Sequence, residues 1–230
     1  MQQGSGGANR SLEPLLPEPP HNCPLCPRLL AFREAVKSLH PEWHNGPVPS
    51  FGDSSARLLI VGLAPGLNGA NRTGRPFTGD HAGVLLYSTL LEFGFADGNY
   101  EARPDDTLTM RDAVLSNAVR CVPPANKPES SEINTCRQFL IRTIGALPNL
   151  RAIVALGRIA HESVVRALGE PLARFPFAHG GEHVVPRTNA KLALFDSYHC
   201  SRYNTSTRVL TTDMFRAVFA RIRAYLDASA

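Results

Sequence analysis

Residues 57–80 read RLLIVGLAPGLNGANRTGRPFTGD, an apolar run that passes directly into a long glycine-rich loop. The apolar run has the composition of a buried parallel strand. The loop from Gly62 to Asp80 contains five glycines and two prolines, which suits a backbone shaped around a bound group. Apolar residues at helical spacing follow the loop. This order of elements predicts a ligand site beyond the carboxyl end of a strand in an open α/β sheet.

Two side chains of this loop are chemically distinctive. Phe77 offers an aromatic face, and Asp80 offers a carboxylate. Aspartate is also a favoured N-cap, so Asp80 has a structural interpretation as the cap of the following helix. The loop alone leaves both interpretations open.

The alternation of apolar strands with amphipathic helices predicts the rest of the architecture. We expect strands at 57–63, 113–119, 151–156 and 191–195, and helices at 28–39, 79–93, 129–144, 158–168 and 211–226. Such alternation is typical of a parallel sheet covered by helices on both faces. The sequence therefore predicts one α/β domain, residues 21–230, with a four-stranded, mainly parallel sheet. Residues 1–20 are rich in Gly, Ser and Pro and are expected to form a flexible tail.

Composition bounds the classes of function. The chain has 230 residues and a net charge of +4, which permits a polyanionic partner without requiring one. No apolar run approaches the roughly 20 residues that a membrane-spanning helix needs. The N-terminal residues lack the basic and apolar pattern of a signal peptide, so we expect a cytoplasmic protein with no membrane partner.

The five cysteines fall into a set of four and a single residue. Cys23 and Cys26 form a Cys-x-x-Cys pair, Cys121 and Cys136 lie in mid-chain, and Cys200 stands alone. Disulfides are the less expected use in a chain without an export signal. Four thiolates without paired histidines suit either zinc or an iron–sulfur cluster, and the spacing does not choose between them.

Polar and aromatic side chains recur at predicted strand ends. Phe77 and Asp80 follow the first strand, Asn117 lies towards the end of the second, and His199 follows the fourth. The carboxyl ends of parallel strands meet at one edge, so these residues should converge there. They suit a pocket that stacks on a flat heterocycle and reads its hydrogen-bonding edge.

Three motifs together resemble the family 5 (type B) uracil-DNA glycosylases. They are the glycine loop, NAVRCVPP at residues 117–124 and YHCSRYN at residues 198–204. The resemblance runs from Cys23 to the final helix. The sister family, type 4, usually has an acidic residue where this chain has Leu63, and here the acidic residue is Asp80. One departure is Cys200, where the superfamily often has proline after the histidine.

The resemblance implies a uracil-DNA glycosylase-like fold and a monofunctional DNA glycosylase of base excision repair. Expected substrates are uracil and deaminated purines such as hypoxanthine and xanthine, in double- or single-stranded DNA. The family also implies a 4Fe-4S cluster whose ligands are four cysteines, Cys23, Cys26, Cys121 and Cys136. We expect a monomer from a bacterium or archaeon.

Each residue of the predicted pocket then has an expected role. The Asp80 carboxylate would stabilise an oxocarbenium-like sugar or orient the attacking water. His199 would donate to the departing base, Asn117 would pair with its edge, and Phe77 would stack on it. Leu63 and Ala64 are the remaining expected base contacts. The residues expected to contact DNA outside the pocket are Arg72, Arg75, Arg202, Tyr203 and Asn204.

Three other functions remain open from the sequence. A type 4-like enzyme would be restricted to uracil. A redox protein would use the cluster directly, although no second cofactor motif is evident. A nucleic-acid-binding module without catalysis would use the same basic loops and would release no free base.

Overall fold

The computed structural model of the protein describes residues 16–186 and 191–228. The strands are β1 (Leu58–Gly62), β2 (Ala96–Asp97), β3 (Thr109–Met110), β4 (Ala113–Asn117), β5 (Ala152–Leu156), β6 (Glu182–Pro186) and β7 (Lys191–Ser197). The α-helices are α1 (Pro27–Leu39), α2 (Ala70–Thr73), α3 (His81–Glu92), α4 (Ser130–Gly145), α5 (Arg158–Ala167), α6 (Arg202–Ser206) and α7 (Thr212–Ala228). Short 3-10 turns occur at Pro124–Asn126 and Leu172–Arg174. Every predicted strand and helix is confirmed within a few residues.

The central sheet has five strands in the order β4-β1-β5-β7-β6. Four of them are parallel, and β6 pairs antiparallel with β7 at one edge. The predicted α/β class is confirmed, but the expected count of four strands is wrong. In β6 only Val185 is buried, so the strand lacks the apolar run that identified the others. A small antiparallel pair, β2 with β3, also lies between α3 and β4, where no strand was predicted.

Helices cover both faces of the sheet, as predicted. Leu58 and Ile60 of β1 pack on one face with apolar residues of α3 and α7. Leu59 and Val61 pack on the opposite face with residues of α4 and α5. All five residues of β1 are buried, as a central parallel strand requires. Strand β1 therefore holds the two cores together and carries the glycine loop at its carboxyl end.

The folded chain begins earlier than the sequence indicated. The Glu18 carboxylate lies 2.6 Å from Nη1 of the buried Arg120 and accepts a 2.9 Å hydrogen bond from the Ser50 backbone N–H. Residues 16–20 therefore do not belong to a flexible tail, and residues 1–15 of that predicted tail lie outside the described residues. Among the described helices, none is long and apolar enough to cross a membrane.

Arg75 lies in the interior. Its guanidinium forms hydrogen bonds of 2.7 and 2.8 Å with the two carboxylate oxygens of Asp106, and a third of 2.7 Å with Thr78 Oγ1. The Arg75 side chain is 7% exposed, and that of Asp106 is 0% exposed. The expectation that Arg75 contacts DNA is therefore wrong. Its role is to hold the end of the glycine loop against the segment before β3.

Replacing Arg75 tests this structural role. Arg75→Ala would leave the Asp106 carboxylate buried without its cation, so the free energy of unfolding should fall by about 3–5 kcal/mol. Urea denaturation measures the loss. The control is Arg103→Ala, which removes a 58% exposed arginine paired with Glu101 and should cost less than about 1 kcal/mol. Equal losses in the two variants would contradict the assignment.

The ion pair between Arg75 and Asp106 makes the free energy of unfolding depend on pH. Hydrogen bonding to Arg75 lowers the pKa of Asp106 to about 2. The ordinary pKa of an aspartate is about 4, so the stabilisation is complete above that pH and is lost as pH falls towards the folded-state pKa. Between these two pH values the wild type should lose more stability than Arg75→Ala does.

Candidate active site

A cavity of about 480 Å³ opens beyond the carboxyl ends of β1 and β4 and beside the segment that follows β7. It contains all six residues predicted to contact or transform a base. They are Leu63, Ala64, Phe77, Asp80, Asn117 and His199. These residues are spread over 137 positions of the chain, from 63 to 199 inclusive, and lie together because they occupy strand ends and the glycine loop. The predicted convergence at one edge of the sheet is confirmed.

Gly62 packs tightly against two residues that line the cavity, Asn117 and Phe77. The parallel register of β1 and β4 places Gly62 opposite Asn117. A Cβ atom at Gly62 would lie 2.5 Å from both Asn117 Oδ1 and Phe77 Cζ. Such distances are far inside van der Waals contact, so only glycine allows the amide and the ring to meet here.

Phe77 is held in an unusual backbone conformation. Its φ of 55° lies in the left-handed region, which is costly for an aromatic residue. Its carbonyl accepts a 3.2 Å hydrogen bond from the Tyr100 hydroxyl. The Phe77 ring lies 6.0 Å from the His199 ring, with planes inclined by 26°. The two rings are thus nearly parallel walls at one side of the cavity.

Asp80 divides its two carboxylate oxygens between two surroundings. Oδ1 accepts a 3.2 Å hydrogen bond from the Gly83 backbone N–H and caps α3. Oδ2 faces the glycine loop, where a Cβ at Gly69 would lie 2.6 Å and one at Gly66 3.2 Å from it. Among the described residues Oδ2 has no hydrogen-bond partner. Asp80 is therefore both a helix cap and a carboxylate presented to the cavity.

His199 is anchored through its backbone while its ring faces the cavity. The Asn204 amide nitrogen donates a 2.8 Å hydrogen bond to the His199 carbonyl. Burial lowers the pKa of the imidazole, and the negative charge of Asp80 partly opposes that shift. The ring is consequently neutral at neutral pH, and one of its nitrogens carries a proton that it can donate.

The Asn117 side chain is available to a ligand. The residue is 3% exposed, and within residues 16–186 and 191–228 nothing forms a hydrogen bond with its amide. A side-chain amide both donates and accepts, so it can pair with a carbonyl next to a ring N–H.

Three of the residues predicted to contact DNA lie on the surface. Arg202 and Tyr203 belong to α6, and Arg202 also lines the cavity. Tyr203 is 74% exposed, and Arg72 of α2 is exposed as well. Asn204 is only partly exposed, and its bond to the His199 carbonyl gives it a positioning role.

Asn126 also lines the cavity, although it was not among the predicted site residues. Ala125 and Asn126 both have positive φ, 52° and 55°, and asparagine is one of the non-glycine residues that tolerate this conformation best. Nη2 of Arg28 holds the turn by donating a 3.2 Å hydrogen bond to the Lys127 carbonyl. The available signal was an asparagine directly after a proline-rich turn.

Cys23, Cys26, Cys121 and Cys136 come together in a cluster outside the cavity. Cys23, Cys121 and Cys136 are buried, Cys26 is partly buried, and all four belong to one cluster. Each thiol is free of disulfides. Ala64 packs on this cluster and also lines the cavity, so the two sites share a wall.

Two buried arginines border the four cysteines. Burial raises the pKa of Cys26 to about 11 and that of Cys121 to about 12, while the charge of Arg33 opposes both shifts. Arg33 is fixed by a 2.9 Å hydrogen bond to the Cys23 carbonyl. The Arg120 backbone N–H donates to Cys136 Sγ at 3.3 Å. Burial therefore keeps the unliganded thiols protonated, while the charge of Arg33 and the N–H of Arg120 partly offset the cost of a thiolate.

Cys200 lies elsewhere. It is fully buried in the core that contains α3 and α7, and its thiol contacts the Ala82 carbonyl at 3.5 Å. Burial raises its pKa to about 12. At this position it is a residue of the hydrophobic core.

Comparisons with known proteins agree with this geometry. The family model of the "Uracil DNA glycosylase superfamily" matches residues 49–223. The Type-5 uracil-DNA glycosylase of Thermus thermophilus is 46% identical over 202 residues, which cover 85% of this chain and 90% of that protein. The Type-5 protein of Pyrobaculum aerophilum is 38% identical over 207 residues, 88% of either chain. A Type-4 uracil-DNA glycosylase of Sulfurisphaera tokodaii is 29% identical over 181 residues, 77% of this chain and 75% of that protein.

The electrostatic link between Asp80 and His199 can be measured. Asp80→Asn removes the negative charge that raises the pKa of His199, so that pKa should fall further below the ordinary value. Titration of the imidazole resonances by NMR provides the reading. Asp213→Asn, which removes an exposed carboxylate at the start of α7, should leave the titration unchanged. A higher or unaltered pKa in Asp80→Asn would show that the two groups do not interact.

Proposed function

This chain belongs to the type 5 family of the uracil-DNA glycosylase superfamily, and we propose that it releases hypoxanthine and xanthine as well as uracil, each from a nucleotide flipped out of DNA. It is a DNA glycosylase and acts on DNA. The observation that carries the proposal is the meeting of a free carboxylate oxygen, an unpaired amide and a neutral imidazole around an aromatic wall.

The cavity suits bases that share one hydrogen-bonding edge. Uracil and hypoxanthine each carry a carbonyl beside a ring N–H, and the unpaired Asn117 amide complements that pair by donating and accepting. The Phe77 ring offers a face on which either heterocycle can stack. Leu63, Ala64 and Gly66 also line the cavity, and the small size of Ala64 and Gly66 leaves room for the second ring of a purine.

The chemistry follows from the charges that develop. When the bond between C1′ and the base nitrogen breaks, its electron pair leaves with the base and the sugar becomes cationic. Asp80 Oδ2 stabilises that cation and orients water, whose oxygen bonds to C1′ while one proton ends on the departed base. The neutral His199 donates a hydrogen bond to the base carbonyl on which negative charge grows.

The rim supports DNA binding in an extrahelical mode. Arg202 and Tyr203 lie together on α6 directly after the His199 motif, and Arg202 lines the cavity mouth. An arginine there reaches phosphates, and an exposed tyrosine can fill the space that the flipped nucleotide leaves. Arg72 offers a further phosphate contact. Duplex and single-stranded DNA both fit this mode, with the protein acting as a monomer.

We also infer a 4Fe-4S cluster at the four cysteines. The fit rests on the donor set, because four thiols, three of them buried and one partly buried, lie together beside Arg33 and Arg120. Four thiolates would hold either a zinc ion or an iron–sulfur cluster, and the likeness to the type 5 family favours the cluster. Such a group would supply a rigid cross-link between the segment before α1, the loop after β4 and helix α4.

Cysteine variants test the cluster. Cys121→Ala should remove the broad visible absorption and most of the iron of protein purified without oxygen. Cys200→Ala should retain both, because Cys200 lies in a different core. Thermal melts of the two variants separate ligand loss from unfolding. Equal bleaching in two folded variants would overturn the ligand set.

Asp80→Asn tests the catalytic assignment. Asparagine caps a helix about as well as aspartate does, so the melting temperature should change little. Loss of the charge should lower the single-turnover rate on a uracil mismatch by a factor on the order of 10²–10³. Near-wild-type excision would return Asp80 to the role of a helix cap alone.

The substrate range is tested on the wild type. Duplexes that carry uracil, hypoxanthine or xanthine are incubated with the enzyme, and abasic sites are counted. Release of all three bases supports the proposal. Release of uracil alone would indicate a type 4-like specificity, and binding without any free base would indicate a non-catalytic module.

A further inference from the structure

A third group of chemically active side chains lies outside the cavity and the cysteine cluster. His161 of α5, His183 of β6 and Asp196 of β7 each offer a ligand atom, and these atoms all lie within 4.8 Å of one another. Within the described residues, this is the one set of three or more His, Cys, Asp or Glu side chains with that geometry. The side chains of His161 and Asp196 are 1% and 0% exposed.

The partners of the two ring nitrogens of His161 indicate that a cation joins this ring to the Asp196 carboxylate. Its Nε2 is 2.7 Å from the Phe175 carbonyl oxygen, which only accepts, so Nε2 carries a proton. Its Nδ1 is 2.7 Å from Asp196 Oδ1. In the neutral ring the Nδ1 lone pair would face a carboxylate oxygen, which is repulsive unless a cation offsets it. That cation is either a second proton on the ring, shared in the hydrogen bond, or a metal ion bound to both atoms.

His183 distinguishes these two cations. Its Nε2 is buried without a hydrogen-bond partner, and it lies 3.4 Å from Asp196 Oδ2. A proton on His161 leaves that buried nitrogen unsatisfied, which is costly. A metal ion would be bound by His161, His183 and Asp196 together and would satisfy it. A ligating histidine also commonly donates its other ring N–H to a backbone carbonyl, as His161 does to Phe175.

We propose that His161, His183 and Asp196 form a binding site for a divalent transition-metal ion such as Zn²⁺. Two imidazoles and one carboxylate are a ligand set that suits zinc and its neighbours more than Mg²⁺ or Ca²⁺. An ion reaches the site past His183, whose side chain is 16% exposed.

The site would fasten the antiparallel edge of the sheet. The backbone N–H of Gly180 donates to the Asp196 carbonyl, and the Asp196 N–H donates to the Gly181 carbonyl. The loop before β6 is therefore already held against Asp196, and its Ala178 N–H also donates a 3.4 Å hydrogen bond to Asp196 Oδ2. A bound ion would add a cross-link among α5, β6 and β7, three residues before His199. Its role would be structural, and it is independent of the base chemistry and of the cysteine cluster.

Zinc binding by protein with its visible absorption intact tests the site. Titration calorimetry with ZnCl₂ should show one site in the wild type, and added zinc should raise its melting temperature. His183→Ala should lose both effects. The matched control is His179→Ala, because His179 lies in the loop just before β6 but its Nδ1 already accepts the Tyr198 N–H at 3.1 Å. This control should bind zinc as the wild type does.

X-ray absorption at the zinc edge of the wild type makes the test independent of how the variants fold. Nitrogen and oxygen neighbours at about 2.0–2.1 Å would support the site. A sulfur shell at about 2.3 Å would place the zinc on cysteines and overturn the proposal. Absence of zinc binding in the wild type, or equal binding by a folded His183→Ala, would show that a proton on His161 is the cation.

Discussion

The missing side chain at Gly62 is the constraint on which the cavity depends. Strand pairing fixes Asn117 beside this residue, and the returning glycine loop brings Phe77 to the same point. Any Cβ would separate the amide from the ring. The left-handed backbone of Phe77, which costs on the order of 1–3 kcal/mol, is part of the same arrangement. The hydroxyl of Tyr100 and the buried pair of Arg75 with Asp106 hold the loop in this shape.

Asp80 shows how one side chain serves both the fold and the site. Its Oδ1 satisfies an unpaired N–H at the start of α3, which fixes the side-chain rotamer and aims Oδ2 at the cavity. The positive end of the helix dipole also favours negative charge at this place. Glycines at 66 and 69 let the loop pass close to Oδ2 without covering it by side chains. The capping bond thus leaves Oδ2 facing the cavity, so the structural role of Asp80 does not compete with the catalytic role proposed for it.

The sequence predicted the residues whose position follows from strand ends and failed where distant partners decide. Phe77, Asp80, Asn117 and His199 could be placed together because parallel strands end at one edge. Arg75 was misplaced because its burial depends on Asp106, a residue 31 positions away whose pairing has no local pattern. Strand β6 was missed since a half-exposed edge strand needs few apolar residues. The grouping of His161, His183 and Asp196 was equally hidden, because three different elements supply one residue each.

The cysteine cluster and the cavity share a wall at Ala64. This residue packs against the cysteines and also lines the cavity, so its position depends on how the cysteines pack. Arg28 lies two residues after Cys26. Its Nη2 donates hydrogen bonds to the Glu132 carboxylate of α4 at 2.7 Å and to the Lys127 carbonyl at 3.2 Å. The strained turn that presents Asn126 to the cavity is thereby tied to the cysteine segment. The proposed cross-link at the cysteines would act without electron transfer, because it would fix Ala64, which lines the cavity, and Arg28, which holds the turn that carries Asn126.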